Sequence, residues 1–373
     1  MVSKRYITIL VILIISAVAI FIYVWQANAR SMEGEIIYLS TASGRSFAIT
    51  EDYTLWGWGG AGGMVGRPLI EGVSASTRPV AIMEDVASIS SCGHTMVITT
   101  DGALWGWGAN NTGQIGNGET RDALAPVMVK SDVYAVSVGW GRTMAITTDG
   151  NLWGWGKDKF WRFGDGAREN QLVPIQVKEN VVAVSVGGFH TMAITDDGTL
   201  WGWGRNQYGQ ISNKEDMYSL TPIQIKENIV AVSAGYVHTM VIDEDGILWG
   251  WGRGFGGVIG DGTEENRLSP VRIKDNVASV YVGTLSTMAV DKQGTLWGWG
   301  SSYGGSMGTG SQDYIKRYLV PTQIMDNVST ISTVGGHTIA LDKDGVLWAW
   351  GSNDFGQLGD GTRRDRNVPV QVR

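Results

Sequence analysis

From residue 35 onward the apolar positions fall into short runs broken by glycine-rich polar stretches, with no sustained 3.6-residue helical spacing. Residues 181–228 show the grammar of one unit. Val181-Val182-Ala183-Val184-Ser185-Val186 is a β-branched apolar run and predicts a buried strand. Gly187-Gly188-Phe189 predicts a turn, and His190-Thr191-Met192-Ala193-Ile194-Thr195 a second strand. Asp197-Gly198 marks a hairpin, because glycine accepts the positive φ of a tight turn. Thr199-Leu200-Trp201-Gly202-Trp203 predicts a third strand, followed by a glycine-rich loop from Gly204 to about Leu220. Pro222-Ile223-Gln224-Ile225 predicts a fourth strand, and a proline without an N–H suits an outer edge. Lys226-Glu227-Asn228 then turns into the next unit.

The unit recurs seven times. Leu-Trp-Gly-Trp-Gly, or Leu-Trp-Ala-Trp-Gly in the last copy, places its first Trp at Trp56, Trp105, Trp153, Trp201, Trp249, Trp297 and Trp348. Four short antiparallel strands at a fixed period predict one propeller blade per unit. The fold expected for residues 36–373 is therefore all-β: a seven-bladed β-propeller of four-stranded antiparallel blades. Blade 1 departs from the Asp-Gly turn with Asp52-Tyr53, and blade 6 with Gln293-Gly294. Each blade reads as one contiguous piece, so closure of the ring is expected to rest on packing of blade 1 against blade 7. Trp201 and Trp203 share a face by the period-2 alternation of a strand, leaving Gly202 and Gly204 to bare the other face for the neighbouring blade. At on the order of 200 Å² buried per Trp, fourteen such residues would supply most of the cohesion between blades.

Ahead of the repeats, Tyr6 to Trp25 carries no charge and is rich in Ile, Val, Leu and Ala. A run of this length predicts one N-terminal transmembrane helix. Lys4 and Arg5 before it favour a cytoplasmic N-terminus and an exported remainder. Ala27-Asn28-Ala29 also offers a signal-peptidase site. The expected organisation is a signal-anchor over 1–29, a short tether over 30–35 and the propeller over 36–373. It would sit single-pass in the cell membrane with the propeller on the extracytoplasmic side, or be secreted if cut after Ala29. The single cysteine, Cys92, excludes an internal disulfide framework and reads as a small buried hydrophobe in a strand. The net charge of −7 and the absence of a basic stripe argue against nucleic acid as a partner.

Residues 328–359 carry the repeat most fully: Val328, Val334, Gly336, His337-Thr338, Asp344-Gly345, Leu347 to Gly351, Asn353 and Gly356-Gln357-Leu358-Gly359. This pattern resembles the regulator of chromosome condensation repeat family, and all seven units share it. The resemblance implies a seven-bladed β-propeller. The family founder exchanges nucleotide on a small GTPase and docks on chromatin, using insertions between strands. Here the units stay within three residues of one length, so that activity is not carried over. In character the chain is closest to exported bacterial members, one of which binds its target through aromatic loop residues.

Candidate chemistry is sparse. His94, His190, His238 and His337 each stand eleven residues before their blade's first Trp, where Arg45, Arg142 and Ser286 stand in the others. A ring of imidazoles is a metal pattern, but full repeat phase points to a hydrogen bond with backbone at the start of the second strand. Asp165, Asp261 and Asp360 lie in Gly-Asp-Gly turns too poor in carboxylates for calcium. Gly304-Gly305-Ser306-Met307-Gly308 and Gly252-Arg253-Gly254-Phe255-Gly256-Gly257 match catalytic and dinucleotide strings without the strand-to-helix setting those need. No catalytic residue, metal or cofactor is expected, and the chain is not read as an enzyme.

The informative positions break the repeat. In the turn between first and second strands, Trp140, Phe189, Tyr236 and Leu285 are large and apolar in four consecutive blades. The loop between third and fourth strands opens on the same face, and in blade 3 it contains Phe160-Trp161-Arg162-Phe163. Trp140, Phe189, Tyr236, Leu285, Trp161 and Phe163 are the candidate binding residues, either as an exposed arc around the central channel or folded inward to plug it. Exposed apolar clusters mark interaction sites, and aromatic residues dominate binding energy. The expected partner is another protein, bound without catalysis in the manner of an inhibitor, on the loop face away from the membrane. The alternative is a carbohydrate or cell-wall ligand stacked on the same rings.

Overall fold

A computed structural model describes residues 31–60, 75–158, 163–167, 169–212, 216–313 and 316–372. They form seven four-stranded antiparallel sheets, each built from four consecutive strands. Blades 1 to 7 run over 36–83, 86–130, 133–178, 181–226, 229–274, 277–325 and 328–371. The first strand of each blade touches the first strands of both neighbours, and that of blade 1 touches that of blade 7. The first strands therefore ring the axis, and the fourth strands face outward. Residues 6–25, on which the transmembrane expectation rests, lie outside the described residues; among those described, no helix is long and apolar enough to cross a membrane.

All seven second strands are buried along their whole length. The core is a set of layers between blades. Met192, Ile194 and Leu200 of blade 4 pack with Ile229, Val241 and Trp251 of blade 5, and blades 2 and 3 repeat this with Met96, Ile98, Leu104, Val133, Ala145 and Trp155. The second Trp of every pair is buried, and outside blade 2 its edge reaches the loop of the preceding blade. Trp251, Trp299 and Trp350 donate Nε1 to the carbonyls of Ile211, Val258 and Ser306 at 3.2, 3.0 and 2.9 Å. Gly260 permits this approach, since a Cβ there would stand 2.6 Å from Trp299 Nε1. The first Trp lies further out. In blades 3 to 6 a lysine ending the preceding blade's fourth strand covers its ring, as Lys178 covers Trp201 at 3.9 Å.

The bare glycine face is used differently from the expectation. A Cβ on Gly202 would strike Met192, Ile211 and Ile225 of its own blade. The glycines make room for side chains of the same sheet, and the neighbour's Trp packs on that layer.

Each outer strand has its proline at an irregularity of pairing. In blade 4, Ile223 pairs Gly202 and Ser219 pairs Gly204, so Pro222 sits within a bulge on the free edge. Ring closure follows the same rules as the other seams. Ile36, Leu39, Ala48 and Trp58 of blade 1 pack with Ile339, Leu341, Leu347 and Leu358 of blade 7. Among the described residues no strand is exchanged between those blades, as the contiguous reading predicted.

Candidate functional site

The four histidines are structural, with a partner other than the one expected. Each is buried and reaches a hydroxyl of the next blade: His94 Nε2 to Thr143 Oγ1 at 2.6 Å, His190 to Thr239 at 2.8 Å, His238 to Thr287 at 3.2 Å and His337 to Ser46 at 2.9 Å. The hydroxyl then donates to a loop carbonyl of the blade that sent the histidine, as Thr143 does to Gln114 at 2.8 Å. Burial pushes the imidazoles of His94 and His190 down to about 3, and those of His238 and His337 to about 4. Among the described residues no group of His, Cys, Asp and Glu could hold a metal ion. The aspartates of the Gly-Asp-Gly turns serve turn geometry, with Asp360 accepting from the Thr362 amide and from Arg366.

Where arginine replaces histidine, it holds the neighbouring blade's turn. Arg142 is buried and donates to the carbonyls of Gly187 at 2.9 Å, Gly188 at 3.3 Å and His190 at 2.8 Å. It thereby fixes the turn that carries Phe189. Arg45 likewise donates to the Cys92 carbonyl at 2.7 Å. Cys92 is half-buried in the bend before the second strand, not within a strand, because blade 2's pairing ends at Ser91 and Thr95. Burial pushes its thiol up.

Three of the expected arc residues meet. Tyr236 packs edge-on against Phe189 at 4.8 Å and against Trp140 at 5.6 Å between ring centroids. The contact between Trp140 of blade 3 and Tyr236 of blade 5 reaches across blade 4. Gly188 allows it: a Cβ there would lie 2.6 Å from the Tyr236 ring. Trp140 remains 60% exposed, while Phe189 and Tyr236 are half-buried. Beneath them a cavity of about 220 Å³ opens into the channel, lined by Cys92, Trp140, Gly188, Tyr236, Thr284 and Val334. The cluster thus covers part of the channel mouth and still presents a ring to solvent. Leu285 is 40% exposed and stands apart from the ring contacts.

The blade 3 loop corrects one expectation. Phe163 is fully buried, packed with Met144, Ile146 and Trp203, and it cannot meet a partner. It follows its blade's second Trp by eight residues, as do the buried Ile115, Ile211, Ile259, Met307 and Leu358. Trp161 lies outside the described residues.

Other rings on this face were missed. Phe255, Tyr303 and Phe355 are exposed and Tyr208 half-buried, all in loops between third and fourth strands. Phe355 lies against the Gly44 turn of blade 1, and Tyr303 near Gly336 of blade 7. At the small-residue turns of blades 1 and 7, the preceding blade's loop supplies an aromatic. In sequence, Phe160, Tyr208 and Phe355 each follow their blade's second Trp by five residues and Phe255 and Tyr303 by four, and that spacing was the signal for them.

Residues 171–373 match the RCC1-like domain, and 101–146 and 133–160 match regulator of chromosome condensation (RCC1) repeats. The chain belongs to the RCC1-like domain family. This is a protein-interaction fold. Among solved structures, Prp20p from Saccharomyces cerevisiae, studied for its binding to Gsp1p and histones, is similar at a TM-score of 0.74 with 20% identity, covering 90% of this chain and 87% of that one. Human WBSCR16 is similar at a TM-score of 0.72 with 21% identity, covering 86% and 93%. At these identities the likeness is one of fold. The ultraviolet-B receptor UVR8 of Arabidopsis thaliana is 44% identical over 64 residues, which is 16% of this chain and only 14% of that receptor.

Proposed function

We propose that this RCC1-like propeller is exported, held at a membrane by residues 6–25, and binds another protein on its aromatic face without catalysing a reaction, in the manner of an inhibitor. The observation that carries the reading is the meeting of Trp140, Phe189 and Tyr236 over the channel mouth with Trp140 left open to solvent. A large ring held by neighbours and exposed on one side loses little entropy on binding and buries much area. The orientation follows from topology. The first strand begins at Ile36, beside the Lys343-Asp344-Gly345 hairpin, at the end opposite the aromatic rings. Residues 26–35 reach at most about 35 Å, so the aromatic face points away from the membrane.

The test is capture from envelope and medium by the full chain in nonionic detergent, against a Trp140→Ala/Phe189→Ala/Tyr236→Ala variant whose thermal unfolding shows that it folds. Loss of a captured protein with the variant supports the reading. Equal capture by both overturns it, and release by free saccharide transfers the face to the carbohydrate reading. In cells, a protease site inserted near Trp140 should be cut from outside; cleavage only after lysis would refute export.

A further inference from the structure

The residue after each Trp-Gly-Trp-Gly or Trp-Ala-Trp-Gly sits at the same register in every blade. Around the ring it reads Gly60, Ala109, Lys157, Arg205, Arg253, Ser301 and Ser352. Blades 3, 4 and 5 are cationic and the other four neutral. These are the blades that carry Trp140, Phe189 and Tyr236. The backbone ties the two sets together: Lys157 donates its amide to Gly141 at 2.7 Å, Arg205 to Phe189 at 2.9 Å and Arg253 to Val237 at 3.0 Å. Each cation is thereby fixed beside its blade's aromatic turn.

The two guanidinium heads face rings. The Arg205 guanidinium lies 5.2 Å from the Phe189 centroid, and that of Arg253 is 5.1 Å from Tyr208 and 5.0 Å from Phe255. All three cations are half-buried. Lys157 and Arg253 form no ion pair among the described residues, and Arg205 bonds the Gln207 side chain. The nearest acid in sequence, Asp158, is buried and turned inward, accepting from the Phe163 amide. In the blade 5 loop, Glu264 is held by Arg317 and Asp261 by Arg267. Positive charge is thus gathered on one arc of a chain whose net charge is −7.

We propose that this arc takes an acidic peptide segment, its carboxylates on Lys157, Arg205 and Arg253 and its apolar side chains on Trp140, Tyr236 and Leu285. The inference rests on the aromatic face being the binding face. Charge complementarity selects the occupant: partly desolvated cations beside rings reward a carboxylate, and guanidinium forks hold it by paired hydrogen bonds. Three cations are too few to neutralise a nucleic-acid backbone, and the apolar positions between them match side chains of a peptide.

The test pans a random peptide library displayed on phage against the full chain in nonionic detergent. The Lys157→Gln/Arg205→Gln/Arg253→Gln variant and the Trp140→Ala/Tyr236→Ala variant serve as parallel baits. Enrichment of sequences pairing carboxylates with apolar residues, bound at least about tenfold more weakly by both variants, supports the proposal. Neutral or basic sequences that need Trp140 and Tyr236 but ignore the cations would overturn it while leaving the aromatic face intact. No enrichment, or sequences held equally by both variants, would overturn it together with the binding role of the face. If the triple variant does not fold, salt decides on the wild-type chain. Binding of an enriched peptide must fall as the Debye length shrinks from about 10 Å at 0.1 M to about 3 Å at 1 M, and salt-independent binding rejects the proposal.

Discussion

Tryptophan does two different jobs in this chain, and the difference lies in what each indole touches. Trp251 is buried between blades 4 and 5, in contact with Met192 and Leu200, and its N–H is satisfied by the Ile211 carbonyl. Trp251→Ala leaves a cavity and an unfilled carbonyl, and should cost about 3–5 kcal/mol in urea denaturation. Trp140 packs on Tyr236 by one edge and is open elsewhere. Trp140→Ala should stay within about 0.5–1 kcal/mol of wild type while weakening partner capture by about tenfold or more. The same measurements on both variants separate cohesion from recognition. If Trp140→Ala unfolds the chain as Trp251→Ala does, the ring is a channel plug. Arg142 works through the same site at one remove. Arg142→Ala removes three charge-assisted bonds from the Gly187-Gly188-Phe189 turn, so hydrogen exchange at the Phe189 and His190 amides should accelerate well beyond the other blades' turns.

The hairpin between second and third strands carries a strain visible only in blade 1. Gly102, Gly150, Gly198, Gly246, Gly294 and Gly345 take φ between 76° and 92° after the turn's polar residue, and Tyr53 stands there at 59°. A bulky L-residue in this region costs about 1–2 kcal/mol, and Tyr53 is largely exposed, so it recovers little by packing. Tyr53→Gly should therefore raise the stability of the folded chain by about 0.5–1 kcal/mol, read as a higher urea midpoint; a lower midpoint would mean that the ring makes a contact worth more than the strain. This departure was readable in advance, because every other blade defined what the position requires. So were the strands, the Trp phase and the contiguous blades, all consequences of period. What escaped was the direction of contacts between blades. Repeat phase placed all four histidines alike, but nothing local distinguishes a bond to one's own backbone from a bond to the next blade's Thr143 or Thr239. Phe163 was misplaced because an aromatic run looks like a surface cluster until each ring is set in register with Ile115 and Ile211. Tyr303 and Phe355 were overlooked for a related reason: single rings in loops become one face only when the blades are arranged around an axis.

At the scale of the whole molecule, cohesion passes through seams, four of which depend on a neutral imidazole, and this makes the ring sensitive to acid. His94, His190, His238 and His337 bridge four of the seams and are neutral when folded, with burial holding them at about 3, 3, 4 and 4 against an ordinary value of 6.5. Unfolding exposes them to water, where they bind protons as pH falls through 6.5. Between pH 6.5 and about 4 the unfolded chain therefore holds more protons than the folded one, and stability must fall with falling pH across that window. Each histidine contributes a slope of at most about 1.4 kcal/mol per pH unit. The loss flattens below the folded values, where both states are protonated. The turn carboxylates of Asp101, Asp149 and Asp197 carry the same sign at lower pH, held below their ordinary value chiefly by the hydroxyls of Thr99, Thr147 and Thr195. Blade 6 supplies the control, since Ser286 already occupies the histidine position there without a group that titrates. His238→Ser should lower stability at neutral pH by removing the bond to Thr287, yet make the decline between pH 6.5 and 4 shallower than in wild type. Urea denaturation in steps across that range measures both quantities. An unchanged slope would place the acid sensitivity outside the seams.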